Sequence, residues 1–188
     1  MPSAAASSGA RYILLDRDGT INVDTHYLSD PNDLRLETGV ADGLRHLRDM
    51  GFRFAVLTNQ SGIARGYFTR ERLDEIHQRL SEILAAEGIH VDGYFLCPHG
   101  PDEDCPCRKP LPGLGEQART ALGFDPTQAW MIGDKDADVG LGQALGARTV
   151  LVRTGKGAKT EAAQTCTPTL IADTLADAAR QIAAFEAQ

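Results

Sequence analysis

The first apolar run of the chain ends in the stretch Leu14-Leu15-Asp16-Arg17-Asp18-Gly19-Thr20. Residues 12–15 are apolar and β-prone, which predicts a short buried strand. Side chains alternate along an extended chain, so Asp16 and Asp18 are expected on the same side with converging carboxyl groups. Two negative charges at such a short distance repel each other unless a cation lies between them or one carboxyl group stays protonated. The stretch therefore indicates a functional site, either a bound cation or a protonated carboxyl group. The alternative is an Asp-Gly turn that merely leaves the strand.

The bulk composition is typical of one globular domain. The chain has 188 residues, 42% hydrophobic content and a formal net charge of −7, and this size allows a substantial core. The acidic balance argues against nucleic acid or an anionic membrane as a partner. The apolar runs are shorter than the roughly 20 residues that span a bilayer. We predict a cytoplasmic monomer with a flexible N-terminal tail at residues 1–10, which lacks the pattern of a secretory signal, and one domain at residues 11–188.

Apolar runs and helical spacings alternate along the chain. Strands are predicted at residues 12–15, 52–57, 91–96, 129–132, 149–152 and 169–171. Helices are predicted at residues 39–50, 69–87, 112–122 and 175–185, with a short helix that ends near residue 145, and residues 155–164 are predicted as a loop. This alternation predicts an α/β fold, a Rossmann-like three-layer sandwich around a mainly parallel sheet.

Polar side chains follow four of the predicted strands, namely Asp16 with Asp18, Thr58, a cysteine-rich loop with Lys109, and Asp134. In a parallel sheet these strand ends share one edge. Three aspartates there can form an oxygen cage for Mg²⁺, while Thr58 and Lys109 can bind phosphoryl oxygens. One carboxylate can attack phosphorus, and a second carboxyl can give its proton to the leaving oxygen. The sequence therefore predicts phosphoryl transfer to water.

Four segments resemble the motifs of the haloacid dehalogenase-like phosphatases. They are Asp16-Arg17-Asp18-Gly19-Thr20, Thr58-Asn59-Gln60, Lys109 and Gly133-Asp134-Lys135-Asp136-Ala137-Asp138. The resemblance runs from residue 12 to the final helix. This segment of the sequence contains no insertion the size of a cap domain. It implies Asp16 as nucleophile, Asp18 as general acid/base, and Thr58 and Lys109 as phosphoryl stabilisers. It also implies Mg²⁺ on Asp16, the main-chain carbonyl of Asp18 and Asp134, with Asp138 behind these ligands and Asp136 as surface charge.

The cysteine-rich loop offers a second metal site. Three thiols and one imidazole fall within a short span, as Cys97, His99, Cys105 and Cys107. This ligand set suits tetrahedral Zn²⁺, and four protein ligands leave no open position, so a structural zinc is predicted to fold the loop that carries Arg108 and Lys109. Reduced cysteines without a metal and a Cys105–Cys107 redox pair are the alternatives. Cys166 is predicted to be a lone buried thiol.

The zinc loop and the stretches 58–66 and 107–110 resemble the histidinol-phosphatase-related branch of that family. The resemblance implies removal of the 7-phosphate of a heptose 1,7-bisphosphate through an aspartyl-phosphate, a step toward nucleotide-activated heptose for lipopolysaccharide. It implies substrate contacts from Asp24, Thr25, His26, Tyr27, Asn59, Gln60, Ser61, Arg108 and Lys135. A second phosphate would suit the cations Arg108, Lys135 and Arg65. Histidinol phosphate, whose amine would favour acidic partners, and a non-catalytic binding module on the same fold are the alternatives.

Three other side chains are predicted to have structural places. Strand alternation points Arg17 away from the metal, toward a structural or rim position. His77 is expected to be a surface histidine or one with satisfied hydrogen bonds, and Trp130 is expected in the core of the fourth strand.

Overall fold

Six parallel strands form the centre of the molecule, in the order β3-β2-β1-β4-β5-β6. The structure is a computed structural model and describes residues 9–188, so the predicted tail falls almost wholly outside the described residues. The strands are β1 (Arg11–Leu15), β2 (Phe52–Asn59), β3 (Val91–Cys97), β4 (Trp130–Gly133), β5 (Arg148–Val152) and β6 (Leu170–Ala172). The helices are α1 (Val40–Asp49), α2 (Arg70–Ala86), α3 (Gly113–Leu122), α4 (Asp136–Leu145), α5 (Gly157–Ala163) and α6 (Leu175–Glu186).

The strand order places the two central strands beside each other at a topological switch point. β1 pairs in parallel with β2 on one side and with β4 on the other. The chain therefore winds outward in both directions from β1 and β4, and ligands of such sheets bind outside the carboxyl ends of the strands at that point. Asp16 directly follows β1 and Asp134 directly follows β4, so both begin at the predicted edge. The predicted Rossmann-like α/β class is confirmed.

Helices cover both faces of the sheet, which explains why the strands are continuous apolar runs. Ile13 and Leu15 of β1 face the core shared with α1, α2 and α6, whereas Leu14 faces the core shared with α3 and α4. Trp130 is fully buried as predicted, and its indole Nε1 donates to Glu186 Oε1 at 3.1 Å. The result is the predicted three-layer sandwich.

The prediction of a loop at residues 155–164 is wrong, because residues Gly157–Ala163 form helix α5. The segment Gly-Ala-Lys-Thr-Glu-Ala-Ala is rich in good helix formers but carries no apolar stripe, because only Gly157 of the helix is buried. A Cβ on Gly157 would lie 1.6 Å from the carbonyl oxygen of Val152, so the start of the helix lies directly against β5. Hydrophobic periodicity misses a helix that packs through its backbone.

The longest connections lie at the carboxyl edge. Residues 16–39 contain one turn of 3-10 helix, and residues 98–112 carry the cysteine-rich loop. Within residues 9–188 neither connection forms a separate cap domain. No helix in this described part combines the length and the apolar character that a membrane crossing requires.

The contact between α1 and α6 gives a test of the packing. A Cβ on Gly43 of α1 would lie 2.5 Å from the carbonyl oxygen of Leu175 in α6. Glycine-to-alanine changes inside a helix normally stabilise it by about 1 kcal/mol. Here we expect Gly43→Ala to lower the free energy of unfolding by about 1–3 kcal/mol, because the backbones must separate. Urea denaturation measures the effect.

The matched control is His46→Ala, which alters an exposed side chain of the same helix. It should change the free energy of unfolding by less than about 0.5 kcal/mol. A Gly43→Ala variant as stable as the unaltered protein would contradict the close approach of the two helices.

Candidate active site

Asp16 is buried at the carboxyl end of β1 between two lysines. Lys109 Nζ lies 2.7 Å from Asp16 Oδ1 and also donates to the carbonyl of Leu57 at 2.7 Å. Lys135 Nζ lies 3.5 Å from the other oxygen, Oδ2. Burial alone would raise the pKa of Asp16, but the charges of Lys109 and Lys135 outweigh it and lower the pKa to about 2. Asp16 is therefore ionised at neutral pH, as a carboxylate nucleophile must be.

Asp134 and Asp138 complete a buried group of three carboxylates with Asp16, whose ligand oxygens lie within 4.8 Å of one another. Asp138 Oδ1 forms an ion pair with Lys109 Nζ at 2.6 Å, and its Oδ2 accepts from the Lys135 backbone N–H at 3.0 Å. Asp134 Oδ1 is buried and accepts no hydrogen bond from the described residues. Burial and then the charge of Asp16 raise the pKa of Asp134 to about 7. This oxygen lies 3.3 Å from Lys135 Nζ without a hydrogen bond, and a group of three buried carboxylates with such an oxygen fits a divalent cation.

Two glycines close around Asp134. Gly19 has a φ of 86°, and a Cβ there would lie 2.4 Å from Asp134 Oδ2. A Cβ on Gly155 would lie 2.4 Å from the same oxygen, which accepts the backbone N–H of Lys156 at 2.8 Å. The Asp-Gly pair at residues 18–19 therefore does more than turn the chain, since a side chain at Gly19 would collide with the carboxylate of Asp134, which follows β4.

Asp18 faces a different set of partners from Asp16. Its carboxylate accepts a two-pronged contact from Arg17 Nη2 at 2.9 and 2.8 Å, and further hydrogen bonds from Asn22 Nδ2 at 3.0 Å and Gln60 Nε2 at 2.8 Å. Burial opposes the charged form, but Arg17 and Asn22 lower the pKa of Asp18. The carboxylate lies outside the metal-competent group of three, whereas the main-chain oxygen of Asp18 faces Lys135 Nζ at 3.4 Å.

The end of β2 holds the backbone of Lys109 in place. Asn59 Oδ1 accepts the Lys109 N–H at 3.0 Å, and Asn59 Nδ2 donates to the Lys109 carbonyl at 3.2 Å. Thr58 is buried, and its hydroxyl accepts from Gln60 Nε2 at 2.8 Å. Thr58 and Asn59 belong to β2 itself, two residues beyond the predicted end of that strand. The Thr-Asn-Gln stretch thus orders the lysine and the general acid/base candidate together.

An open cavity of about 300 Å³ lies over these groups. Its lining residues are Asp18, Asp24, His26, Tyr27, Asn59, Gln60, Ser61, Arg108, Lys109, Lys135, Ala137 and Lys156. The cavity thus brings together every predicted substrate contact except Thr25, which is exposed and lies outside the lining. Sequence reasoning missed Lys156, whose only signal was the pair of glycines at 155 and 157. Arg65 is likewise not part of the lining.

The four predicted zinc ligands come together at the end of β3. Cys97 Sγ lies 3.0 Å from Cys107 Sγ and 3.7 Å from Cys105 Sγ, and His99 Nδ1 lies 3.4 Å from Cys97 Sγ. All four donor atoms lie within 4.8 Å of one another and the thiols are free. Three thiols and one imidazole at this spacing fit a tetrahedral zinc ion. Arg108 Nη1 donates to the His99 carbonyl at 3.0 Å, so the cluster is joined to the cavity.

Four further side chains can be compared with their predicted places. Arg17 has the structural position rather than the rim position of the two that were predicted, because it is 1% exposed and its Nη1 lies 3.2 Å from His77 Nε2. Cys166 is half-buried rather than buried. Asp136 is exposed as expected, while Asp138 is buried behind Asp16.

This arrangement agrees with the resemblance of the sequence motifs to the haloacid dehalogenase-like phosphatases, and the comparisons with known proteins place the chain in that class. The family model described as "HAD-hyrolase-like" matches residues 106–178. A D-glycero-beta-D-manno-heptose-1,7-bisphosphate 7-phosphatase from Yersinia pestis is 44% identical over 153 residues, which cover 77% of this chain and 81% of that protein. The protein of the same name from Photorhabdus laumondii is 40% identical over 184 residues, 94% of this chain and 97% of the relative.

A solved structure agrees with these relatives. The D,D-heptose 1,7-bisphosphate phosphatase from B. bronchiseptica, complexed with magnesium and phosphate, matches with a TM-score of 0.87 and 34% identity, covering 93% of this chain and 99% of that chain. This chain belongs to the family of D-glycero-beta-D-manno-heptose-1,7-bisphosphate 7-phosphatases.

The buried His77 makes the stability of the protein depend on pH. Burial and then Arg17 lower the pKa of His77 to about 3. Below the usual value near 6.5 the unfolded chain takes up a proton that the folded chain refuses, so stability falls as the pH drops from about 6.5 toward 3. We expect the free energy of unfolding to fall by about 1–2 kcal/mol more in the unaltered protein than in His77→Gln between pH 7 and pH 5.

Urea denaturation of both proteins at the two pH values measures this difference, and every other titrating group cancels in the comparison. An equal loss of stability in the two proteins would show that His77 is protonated in the folded state as readily as in the unfolded one.

Proposed function

We propose that this chain removes the 7-phosphate of D-glycero-β-D-manno-heptose 1,7-bisphosphate and yields the heptose 1-phosphate for nucleotide-activated heptose synthesis. The observation that carries the proposal is Asp16, kept ionised between Lys109 and Lys135 beneath an open cationic cavity. The matches to the two D-glycero-beta-D-manno-heptose-1,7-bisphosphate 7-phosphatases cover 77% and 94% of this chain, and the names of these relatives suggest the substrate and the β anomer.

The hydrogen bonds of Asp16 favour one oxygen as the nucleophile. Oδ1 is held by Lys109 at 2.7 Å, whereas Oδ2 has the longer 3.5 Å contact with Lys135. Oδ2 attacks phosphorus as the bond from phosphorus to the sugar oxygen breaks. Arg17 and Asn22 lower the pKa of Asp18, but the negative charge of the incoming phosphate favours its protonated form, and that form gives its proton to the leaving oxygen. Water then attacks the phosphorus of the aspartyl-phosphate, Asp18 takes the proton, and phosphate and the Asp16 carboxylate are released.

The carboxylate group fits the predicted magnesium site. Asp16 and Asp134 with the main-chain oxygen of Asp18 would hold Mg²⁺, and Asp138 keeps Lys109 and the Lys135 backbone in position behind them. When bound, the ion would offset negative charge on the transferring phosphoryl group.

The charges around the cavity favour a substrate with two phosphates. The cavity lining includes Arg108, Lys135 and Lys156 in addition to the buried Lys109. The lining also contains Asp18 and Asp24, but the four cations outnumber them, so repulsion disfavours the positively charged amine of histidinol phosphate. A binding module without turnover would have no need for the nucleophile, the general acid/base candidate and both lysines together.

The cysteine loop supports a structural zinc in a reducing compartment. Cys97, Cys105, Cys107 and His99 use all four tetrahedral positions, so that metal would fix the loop that carries Arg108 and Lys109 rather than take part in the reaction. Free thiols suit the cytoplasm, where we place the protein. We propose that it is a monomer there.

Phosphate release with Mg²⁺ from the β and α anomers of the heptose 1,7-bisphosphate and from histidinol phosphate tests the substrate. We expect kcat/KM for the β anomer to exceed that for histidinol phosphate by at least about 100-fold, because loss of paired charges weakens transition-state binding by several kcal/mol. Asp16→Asn is the control and should remain folded but inactive. A preference for histidinol phosphate would overturn the proposed substrate, and activity of the unaltered kind in Asp16→Asn would overturn the nucleophile.

Metal analysis tests the cysteine loop. Freshly purified protein should hold about one zinc per chain, and Cys107→Ser should lose it, because a thiolate ligand is gone. Cys166→Ser is the matched control and should keep the metal, since Cys166 lies outside the cluster. Chelation should also make residues 97–112 more open to limited proteolysis. Protein that is purified without zinc and has an ordered loop would contradict the assignment.

A further inference from the structure

Arg17 is an unusual residue to find buried. Its guanidinium cannot lose its proton, and it is 1% exposed, so its donors need acceptors inside the protein. Nε and Nη2 donate to the Asp18 carboxylate at 2.8–3.2 Å. The remaining nitrogen, Nη1, has a different side-chain partner among the described residues, namely His77 Nε2 at 3.2 Å. The arginine thus joins the general acid/base candidate on one side to a histidine of α2 on the other.

His77 is itself held in one orientation. Its ring stacks on Tyr94 of β3 with centroids 4.5 Å apart and planes 16° from parallel. Tyr94 is fixed in turn by a hydroxyl contact of 2.8 Å with Ser81 Oγ. Because the guanidinium only donates, His77 Nε2 must be the unprotonated, accepting nitrogen.

The line of contacts sets the plane of the Asp18 carboxylate. A guanidinium fork fixes a carboxylate in two dimensions, unlike a single point charge. Asn22 and Gln60 also touch Asp18, but each donates one hydrogen bond to one oxygen. If the acceptor on Arg17 Nη1 is removed, the guanidinium is free to turn toward other acceptors and the fork on Asp18 loosens. Proton transfer is sensitive to such small displacements.

We propose that His77 is a positioning residue for proton transfer, acting through Arg17 to orient the Asp18 carboxylate. His77 lies 60 residues from Arg17 in the chain and is outside the cavity lining. The inference rests on the proposed role of Asp18 as general acid/base. It deepens that role, since it extends the acid/base machinery to a side chain of α2 that does not touch the substrate.

The test uses the dependence of the rate on the leaving group. Alkoxide leaving groups need a proton from Asp18, whereas 4-nitrophenolate leaves without one. In addition, kcat/KM reports only the steps up to loss of the leaving group. His77→Leu should lower kcat/KM for the heptose bisphosphate by about 10–100-fold and that for 4-nitrophenyl phosphate by less than about 3-fold. His77→Gln, which restores an acceptor, should recover most of the loss.

Two further variants keep the result interpretable. Ile76→Val alters the buried face of the same helix without touching Arg17, and it should change both substrates equally and slightly. Arg17→Lys keeps the charge but loses the two-pronged contact with Asp18. It should therefore slow the heptose bisphosphate more than 4-nitrophenyl phosphate, and it gives this readout even if His77→Leu folds poorly. Equal slowing of both substrates by His77→Leu and by Arg17→Lys would overturn the inference.

Asp18→Asn separates this inference from the proposed function. It should slow the heptose bisphosphate far more than 4-nitrophenyl phosphate. If it slows both equally, the general acid role fails and the inference fails with it. If Asp18→Asn is selective and His77→Leu is not, only the inference fails. If the unaltered protein does not hydrolyse the heptose bisphosphate, the proposed substrate is wrong, and histidinol phosphate serves as the alkyl phosphate in the same comparison.

Discussion

The ion pairs of Lys109 with Asp16 and Asp138 are the constraint on which the rest of the site depends. All three side chains are at least nine-tenths buried, and their Nζ–O distances are 2.7 and 2.6 Å. Breaking such a pair by removing one partner typically costs about 3–5 kcal/mol of stability. The fold must therefore hold Lys109 beside the two carboxylates. The reciprocal contacts of Asn59 with the Lys109 backbone and the cysteine cluster just before it both serve that placement.

Short loops shape the cavity, because residues 9–188 contain no separate cap domain. His26 and Tyr27 adopt positive φ values of 53° and 62°, which are strained for residues with a Cβ. The strain is held by packing, since Tyr27 lies edge-on to Tyr67 at 4.6 Å and Arg65 lies 5.9 Å from the Tyr27 ring. Two loops that contact each other through aromatic rings therefore form the outer wall, while the charged groups line the floor. Within residues 9–188, loop residues such as His26 and Tyr27 therefore line the cavity.

The sequence predicted the sheet and the carboxyl-edge site because strands buried on both faces are continuous apolar runs and their polar ends share an edge. It missed α5, which packs through Gly157 and has no apolar stripe. It left open whether Arg17 has a structural or a rim position, since a charged residue between two aspartates gives no sign that a histidine far along the chain accepts a hydrogen bond from it. The prediction for Thr25 rests on its neighbours in the chain, and that for Cys166 on the usual burial of free thiols; neither determines which side chains face inward.

Capture of the covalent intermediate tests the central claim most directly, because the proposed reaction passes through an aspartyl-phosphate at Asp16. The protein is mixed with substrate and Mg²⁺, quenched in acid within a turnover, reduced with borohydride and digested for mass spectrometry. Reduction converts an aspartyl-phosphate to homoserine. The account predicts homoserine at residue 16 in the presence of substrate and unaltered aspartate at residues 18, 134 and 138. Homoserine at another position, or none while phosphate is being released, would contradict it.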